Sequence, residues 1–341
     1  MDNKMFLILE KTTNPVTKKK IIGFASPLGL EILGSSKQWG GDGTFNIAKV
    51  TLFSQVFIIS AKTQNGINVP CGFFMLPDKE LETYKMMFNA LLDLNIAPPS
   101  LFYCDFESGI IKGMRSIYPE TKIRCCDTHF KRALRTNLQH HHLIELYNKD
   151  ASFQTFIRHL WALSLVPTSE VIKVWDEIIV PLIPNSKEDE EDAPTWDADE
   201  DDVNDFINYF ESTWLGTMNW RTNMRKNPRY RHELWSKYDA VRSSEDTTTN
   251  SCEGFNNAIQ LSVPHNASMW AVIHQFKTEE SLVHVKLRDA AVGNTPDQNK
   301  RRTLNRVARM QELRHLVNSF ETIPLKEYVG YIIDFYNHSV L

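Results

Sequence analysis

The first part of the chain alternates short apolar runs with turn-forming residues. Segments 44–53, 55–63 and 68–76 are rich in β-branched and aromatic residues, and each is short enough for a single strand. Because the three segments follow one another closely, they predict an antiparallel meander. Two further short apolar runs, at 101–105 and 122–126, predict buried strands. The pattern therefore predicts a sheet of five strands.

Apolar positions spaced three and four residues apart predict helices between and after these strands. Segments 78–94 and 108–118 lie between predicted strands, and segment 28–34 precedes them. After His129 the helical spacing continues to the end of the chain. Further helices are predicted at 130–138, 153–163, 169–180, 203–214, 267–290, 297–320 and 324–337. The predicted fold class is therefore mixed α/β with a large helical part.

Three acidic residues stand in distinctive local sequences. Asp42 lies in Gly-Gly-Asp-Gly-Thr-Phe, Asp105 ends the run Leu-Phe-Tyr-Cys, and Glu253 lies in Asn-Ser-Cys-Glu-Gly-Phe at a predicted helix start. Each has a structural alternative: Asp-Gly is a common turn pair, Asp105 could cap the helix at 108–118, and Asn250 to Glu253 fits a capping box. Brought to one point, however, three carboxylates offer the oxygen ligands that two Mg²⁺ ions need for phosphodiester chemistry.

The sequence around these residues resembles the Mutator-like element (MULE) DNA transposases, a family with an RNase H-like DDE catalytic domain. The resemblance follows the family's order over about residues 25–290, so it does not depend on any single motif. The matching blocks are Trp39–Phe45, Val69–Pro77, Glu82–Lys85, Cys104–Glu107, Ile123–Leu134, Tyr209–Gly216, Glu233–Tyr238 and Thr249–Asn256.

The resemblance implies that Asp42, Asp105 and Glu253 form the catalytic triad. In the implied mechanism Asp42 bridges two Mg²⁺ (or Mn²⁺) ions about 3.5–4 Å apart, and the other two carboxylates each complete one coordination sphere. The same site would cut a DNA strand with water and join it with a 3′-hydroxyl. The implied partners are the terminal inverted repeats of a DNA element and target DNA. The implied setting is nuclear, with the chain acting as a homo-oligomer on DNA.

The resemblance also places Cys126 and His129 on the family's Cys-x-x-His motif, in a supporting role. Their spacing could hold zinc, but a closed structural zinc site needs four ligands, and no second Cys-x-x-Cys pair follows. Zn²⁺ is therefore not expected, and Cys126 is expected to be a core residue. The run His140–His142 has no matching partner elsewhere and is assigned to the surface.

Aromatic and basic residues alternate between Trp214 and Tyr238. Cations attract phosphates and exposed rings stack on unpaired bases, so this segment is a candidate DNA-binding surface. Trp214 and Trp235 are expected to lie in the core instead, and the alternative that the arginines only solvate an outer face stays open. The candidate DNA-binding residues are Trp220, Arg221, Arg225, Lys226, Arg229 and Arg231.

The spacing of the triad predicts the domain organisation. Asp105 and Glu253 are 148 positions apart, which is too far for a plain connection and indicates a helical insertion. The predicted parts are an N-terminal segment (1–38), the first part of an RNase H-like core (39–130), the insertion (131–248) with an acidic loop (186–202), a catalytic helix (249–262) and C-terminal helices (263–341).

Composition and charge restrict the function less than the motifs do. An apolar share of 42% in 341 residues fills a sizeable core, and five scattered cysteines argue against a disulfide framework. No apolar stretch is long enough for a membrane span. The net charge of −4 is unexpected for a DNA-binding protein. Residues 188–202 contain ten acids and no Lys or Arg, so the rest of the chain is formally +6.

Two other functions compete with transposition. Nothing before Trp39 resembles the N-terminal zinc finger of many family members, so we expect a fragment, a lost finger or a host-adopted derivative. A domesticated DNA-binding or regulatory protein would keep the fold without transposition, but an intact triad favours the enzyme. An RNase H-like nuclease that acts on another nucleic acid is the second alternative, and the matching blocks at 209–256 argue against it.

Overall fold

The computed structural model describes residues 7–14, 19–44, 53–184, 196–243, 245, 250–263, 267–293 and 300–338. The chain divides into two compact units. The first comprises residues 1–126 and 248–297, and the second comprises residues 127–247 and 298–341.

The first unit contains a mixed sheet of seven strands in the order β1-β2-β5-β4-β3-β6-β7. Strands β3, β6 and β7 run parallel to one another, and the remaining neighbours are antiparallel. The strands are β1 (Leu7–Asn14), β2 (Lys19–Phe24), β3 (Gln38–Thr44), β4 (Gln55–Lys62), β5 (Asn68–Leu76), β6 (Leu101–Cys104) and β7 (Lys122–Cys125). The predicted mixed α/β class is confirmed, and β5-β4-β3-β6-β7 is the expected five-stranded core.

Two strands were missing from the sequence prediction. The N-terminal segment 1–38 contributes β1 and β2, and β2 pairs with the outer edge of β5, with Ile22 opposite Met75 and Phe24 opposite Phe73. β5 is buried over nearly its whole length, so its outer edge needs a neighbour to satisfy its backbone groups. Charged residues in β1 hid the alternating pattern that predicts a strand.

Helices follow and enclose these strands. They are α1 (Pro27–Ser35), α2 (Leu81–Asp93), α3 (Ser108–Ile117), α4 (Asp127–His140), α5 (Ile144–Lys149), α6 (Ala151–Ala162), α7 (Val171–Val174), α8 (Glu200–Phe210), α9 (His232–Trp235), α10 (Tyr238–Arg242), α11 (Asn250–Ser262), α12 (Met269–Ala291), α13 (Lys300–Asn318) and α14 (Leu325–Asn337). The π-helical turns Trp175–Ile179 and Glu211–Leu215 extend α7 and α8, and a two-stranded hairpin consists of β8 (Met218–Asn219) and β9 (Met224–Arg225).

Helices cover both faces of the sheet, which explains why its central strands are almost continuously apolar. On one face α12 inserts Phe276, whose ring stacks on Phe73 of β5 with centroids 4.7 Å apart. On the other face Phe88 of α2 meets Phe102 of β6 edge to face at 5.8 Å. Both rings on each side are buried, so the sheet is fixed by two apolar layers.

Aromatic packing also forms the core of the second unit. Phe130 of α4 stacks on Trp235 at 5.4 Å and meets Trp214 edge to face at 4.8 Å. The C-terminal helices α13 and α14 belong to this unit, and the Tyr328 hydroxyl of α14 donates a hydrogen bond to the Leu165 carbonyl oxygen. The predicted C-terminal region 263–341 is therefore divided, because α12 packs against the sheet of the first unit.

The acidic segment 186–202 is only partly the loop that the charge pattern predicted. Residues up to 195 lie outside the described residues, but Trp196 packs against Phe153 with ring centroids 4.8 Å apart. The Asp199 carboxylate then caps α8 by accepting a hydrogen bond from the Asp201 backbone N–H. Acidic residues in the first turn of α8 are favourable next to the positive end of the helix dipole, so charge here promotes structure.

None of the helices in the described part of the chain combines the length and apolar composition needed to cross a membrane.

Candidate active site

Asp42 lies within β3, opposite Ile58 of β4, and not in a hairpin turn. The predicted strand at 44–53 therefore begins earlier, at Gln38, and residues 45–52 lie outside the described residues. Close neighbours explain why two positions near Asp42 are glycines. A Cβ at Gly43 would lie 2.4 Å from the Gln55 Oε1 atom, and one at Gly40 would lie 2.7 Å from the Cys252 Sγ atom.

Asp105 follows β6, which is the parallel neighbour of β3. Gln38 pairs with Leu101 and Gly40 with Tyr103, so continuing the register by two residues puts Asp42 opposite Asp105. The N-cap residue of α3 is Glu107, so the helix-cap explanation for Asp105 does not hold. Adjacent parallel strands are about 4.8 Å apart, which brings the two acidic residues to neighbouring positions where these two strands end.

Helix α11 runs along β3 in the same direction. The Cys252 Sγ atom lies 3.1 Å from the Ser60 Oγ atom on β4, and the Asn256 Nδ2 atom donates a 2.7 Å hydrogen bond to the Asp42 Oδ2 atom. One helical turn later, Gln260 donates to the Thr44 hydroxyl. Four helical residues rise about 6.0 Å and two strand residues about 6.6 Å, so contacts recur in step along both elements.

Glu253 lies on the first turn of α11, one residue after Cys252. A carboxylate oxygen of Glu253 lies within 4.8 Å of the Cys126 Sγ atom, and Cys126 directly follows β7. Asn256 meanwhile contacts Asp42 on β3. Because β6 lies between β3 and β7, these two contacts place the start of α11 across the end of the strand that carries Asp105.

The carboxylates of Asp42, Asp105 and Glu253 are not a compact cluster. Among the described residues, these three do not form a set whose oxygen atoms all lie within 4.8 Å of one another. Negatively charged groups repel one another, and Asp42 accepts a hydrogen bond from the amide of Asn256. The backbone positions of Asp42 and Asp105 are adjacent, while the three carboxylates do not meet.

Tyr84 and Glu107 lie beside Asp105 and were not predicted as site residues. Burial and the nearby charge of Glu107 raise the pKa of Tyr84, so its phenol stays protonated. Tyr84 donates a hydrogen bond to Glu107, and Lys79 contacts the other Glu107 oxygen at 2.7 Å. The Tyr84 oxygen accepts from the Gln55 amide at 2.9 Å. This chain of contacts fixes the segment after Asp105, and the only sequence signal for Tyr84 and Glu107 was their position in the matching blocks Glu82–Lys85 and Cys104–Glu107.

Cys126 is fully buried, as expected of a core residue, and its backbone N–H donates to the Cys104 carbonyl oxygen at 3.0 Å. His129 lies in the first turn of α4, which is the first helix of the second unit. His140 and His142 are exposed at the end of α4 and His141 is half-buried, in agreement with the surface assignment.

A family model independently describes this part of the chain. The model of the MULE transposase domain matches residues 38–133, from the start of β3 into α4. The chain therefore contains a MULE transposase domain. The resemblance inferred from the sequence is confirmed over residues 38–133, and the domain indicates a transposase-related function. The match includes Asp42, Asp105, Cys126 and His129, whereas Glu253 lies outside it. No curated protein matches the chain.

Outside the matched MULE domain, the aromatic and basic segment divides into core and surface. Trp214 and Trp235 are buried, as predicted. Trp220 is 82% exposed next to the β8–β9 hairpin, and the Arg221 guanidinium lies 4.8 Å from the centroid of its ring. Arg229 and Arg231 are exposed too, and the Arg229 guanidinium lies 5.3 Å from the centroid of the Tyr230 ring.

Arg225 corrects the sequence prediction. Its guanidinium donates to Asp176 at 3.1 Å, to Glu211 at 3.1 Å and to the Gly216 carbonyl oxygen at 2.7 Å. The neighbouring Lys226 is exposed. An arginine with three internal acceptors is used by the fold, so Arg225 is a structural residue of the second unit and not a free phosphate ligand.

Proposed function

We propose that this chain is the catalytic part of a DNA transposase that cuts phosphodiester bonds and joins the ends at Asp42, Asp105 and Glu253. The observation that carries the proposal is the position of Asp42 and Asp105 on neighbouring parallel strands inside the MULE domain. The position of α11 adds support, because its Asn256 contacts Asp42 and its Glu253 lies near the end of β7.

The donor set fits magnesium or manganese. All three proposed ligands are carboxylates, and hard divalent cations prefer oxygen. Bound Mg²⁺ or Mn²⁺ would supply the Lewis acid that activates water or a 3′-hydroxyl and stabilises the leaving oxygen. The chain's own part is to hold the carboxylates on rigid elements: β3 carries Asp42, the end of β6 carries Asp105, and α11 carries Glu253. Asn256 orients Asp42 through its amide.

The proposed substrates are the terminal inverted repeats of a DNA element and the target DNA, with the chain acting as a nuclear homo-oligomer on DNA. The direct test incubates the protein with Mn²⁺ and DNA that carries the repeats flanking its own coding sequence. Strand breaks at the repeat ends, absent with EDTA, are expected. DNA binding without any breaks would favour the domesticated regulatory protein instead.

Metal binding should stabilise the protein before any DNA is added. Millimolar Mg²⁺ or Mn²⁺ is expected to raise the Tm of the wild type, because a ligand that binds only the folded state shifts unfolding. Asp42→Asn should reduce this rise while leaving the metal-free protein equally stable or more stable, since it removes a negative charge and keeps the acceptor for Asn256. Differential scanning fluorimetry measures both values.

The matched control for this measurement is Asp93→Asn, the same change at an exposed position of α2 in the same unit. Its metal response should equal that of the wild type. An equal response in Asp42→Asn would place the bound metal at another site.

The exposed cations beside Trp220 should contribute to DNA affinity by binding phosphates. Changing Arg221 and Lys226 to Ala is expected to flatten the dependence of log affinity on log salt by about 0.9 for each phosphate that the variant no longer neutralises.

Arg225→Ala should behave differently and lower stability, because it leaves Asp176 and Glu211 without their cation. Anisotropy titrations at several salt concentrations measure the slope, and the unfolding midpoint measures the stability of Arg225→Ala. An unchanged slope in the double variant would mean that the two cations only solvate the surface.

A further inference from the structure

A cavity in the second unit has no role in the proposed cleavage site. It has a volume of about 370 Å³, within the range of pockets that hold small molecules. One helix, α4, provides its charged side, and α5 and α6 provide the opposite wall. The lining residues are Asp127, Thr128, Lys131, Arg132, Arg135, Leu138, Tyr147, Ile157 and Trp161.

The charged side carries an excess of positive charge. Its four charged side chains, one acid and three bases, sum to +2. The Lys131 Nζ atom lies 3.5 Å from one oxygen of the Asp127 carboxylate, and Lys237 contacts the other oxygen at 2.6 Å, so Asp127 is already paired within the protein. Arg132 and Arg135 are exposed, and among the described residues neither has a carboxylate within 4.0 Å. The Arg132 Nη1 atom does contact the His129 Nε2 atom at 3.4 Å, but neither guanidinium is paired with an acid in the described part of the chain. Both can therefore bind an anion, and guanidinium matches the geometry of phosphate.

The opposite wall is apolar and aromatic. Ile157 is buried, Tyr147 is half-buried, and Trp161 exposes only 6% of its surface, while the buried Leu138 adds an apolar residue from α4. The Trp161 Nε1–H group is buried and has no hydrogen-bond partner among the described residues. A buried donor without a partner is rare in folded proteins, which points to an acceptor that a bound molecule brings.

We propose that this cavity binds a nucleotide, with the phosphate on Arg132 and Arg135 and the base against the wall that contains Tyr147 and Trp161. A phosphate alone would make no apolar contact with the wall, and an apolar ring alone would bring no anion to Arg132 and Arg135. The inference extends the proposed function, because a nucleotide is a unit of its DNA substrate. The binding chemistry, however, needs neither the carboxylates nor a metal.

Binding is measured in EDTA, so that cleavage does not enter the result. The probe is a fluorescent five-nucleotide thymidine oligonucleotide, and the competitors are thymidine monophosphate, thymidine and inorganic phosphate. The monophosphate should compete at least about tenfold better than thymidine or phosphate. Equal competition by thymidine would overturn the role of the arginines, and equal competition by phosphate would overturn the role of the wall.

Variants assign the binding to this cavity. Arg132→Gln with Arg135→Gln should weaken oligonucleotide binding at least about tenfold and flatten the salt slope by about 1.4, from 0.7 per contact on a single strand. The matched control is Lys173→Gln with Lys326→Gln, which removes two exposed positive charges elsewhere in the same unit and should change little. Equal weakening in both pairs would mean a general charge effect and would overturn the proposal.

The wall is tested by Tyr147→Ala, which should weaken binding about fivefold or more because base stacking is removed. Tyr331→Ala, a half-exposed tyrosine of α14 in the same unit, is its control. Unfolding midpoints of all variants confirm that they are folded, and a folded Tyr147→Ala with wild-type affinity would overturn the base position. The monophosphate and oligonucleotide affinities show whether a free nucleotide or a strand is preferred. Because no cleavage is measured, an inactive cleavage site would leave this result unaffected.

Discussion

Replacing Asp105 by Asn should lower the rate of metal-dependent DNA strand cleavage by about 1,000-fold. The loss of one carboxylate ligand removes several kcal/mol of transition-state stabilisation, and each 1.36 kcal/mol is a factor of ten in rate. Asn keeps the size of the side chain but removes its charge, so the fold should persist. Single-turnover cleavage with saturating protein measures the chemical step separately from DNA binding.

Asp42→Asn and Glu253→Gln should reduce cleavage to a similar extent, because each proposed ligand is needed. Asp93→Asn, the same chemical change on the surface of α2, should leave the rate unchanged. DNA affinity should remain near the wild-type value in all four variants. Cleavage by Asp105→Asn at more than about a tenth of the wild-type rate would contradict the assignment of this residue.

The second large effect concerns a buried ion pair in the second unit. The Lys237 Nζ atom lies 2.6 Å from the Asp127 Oδ1 atom and 3.4 Å from the Tyr336 hydroxyl, and Lys237 is almost completely buried. Lys237→Met keeps the apolar stem but leaves Asp127 with Lys131 alone. Removing one partner of a buried pair leaves the other charge uncompensated. We therefore expect a loss of about 3 kcal/mol in the free energy of unfolding, measured by denaturant titration.

The same pair predicts a pH dependence. Burial by itself would raise the pKa of Asp127, but the charges of Lys237 and Lys131 outweigh it and lower the pKa below its ordinary value. The stabilisation is therefore present above about pH 4 and is lost as the pH falls through the lowered pKa. The stability difference between wild type and Lys237→Met should narrow in acid. Lys149→Met, which breaks an exposed pair with Glu145, should change stability little at any pH.

The sequence predicted the central elements of the fold because their signals are local. The helical spacing in segments 78–94, 267–290 and 324–337 corresponds to α2, α12 and α14, with ends shifted by a few residues. The short apolar runs that became β6 and β7 were also found. The strand β1 was missed because its sequence alternates poorly, and its place depends on pairing with β2.

For the candidate site, too, some features were predicted from local sequence and others appeared only in the tertiary structure. The motif blocks identified Asp42 and Asp105, and the family model supports the region that contains them. Sequence spacing could not show that Asp42 lies inside a strand, because Asp-Gly is equally suited to a turn. The approach of Cys252 to Gly40 and of Gln55 to Gly43 explains those glycines by close packing.

The contacts of Asn256 and Arg225 were decided only by the tertiary structure. Asn256 reaches Asp42 across 214 positions, because α11 follows the direction and rise of β3. Arg225 is held by Asp176 and Glu211, and no local pattern distinguishes it from the exposed Lys226 beside it.

The sequence by itself determined which segments are strands or helices and which carboxylates are candidates, because periodicity and motifs depend on near neighbours. Only the tertiary structure decided how β1 and β2 extend the sheet, which cations are already paired, and where α11 meets Asp42. Those outcomes depend on the pairing of distant residues, and many pairings satisfy the same local pattern.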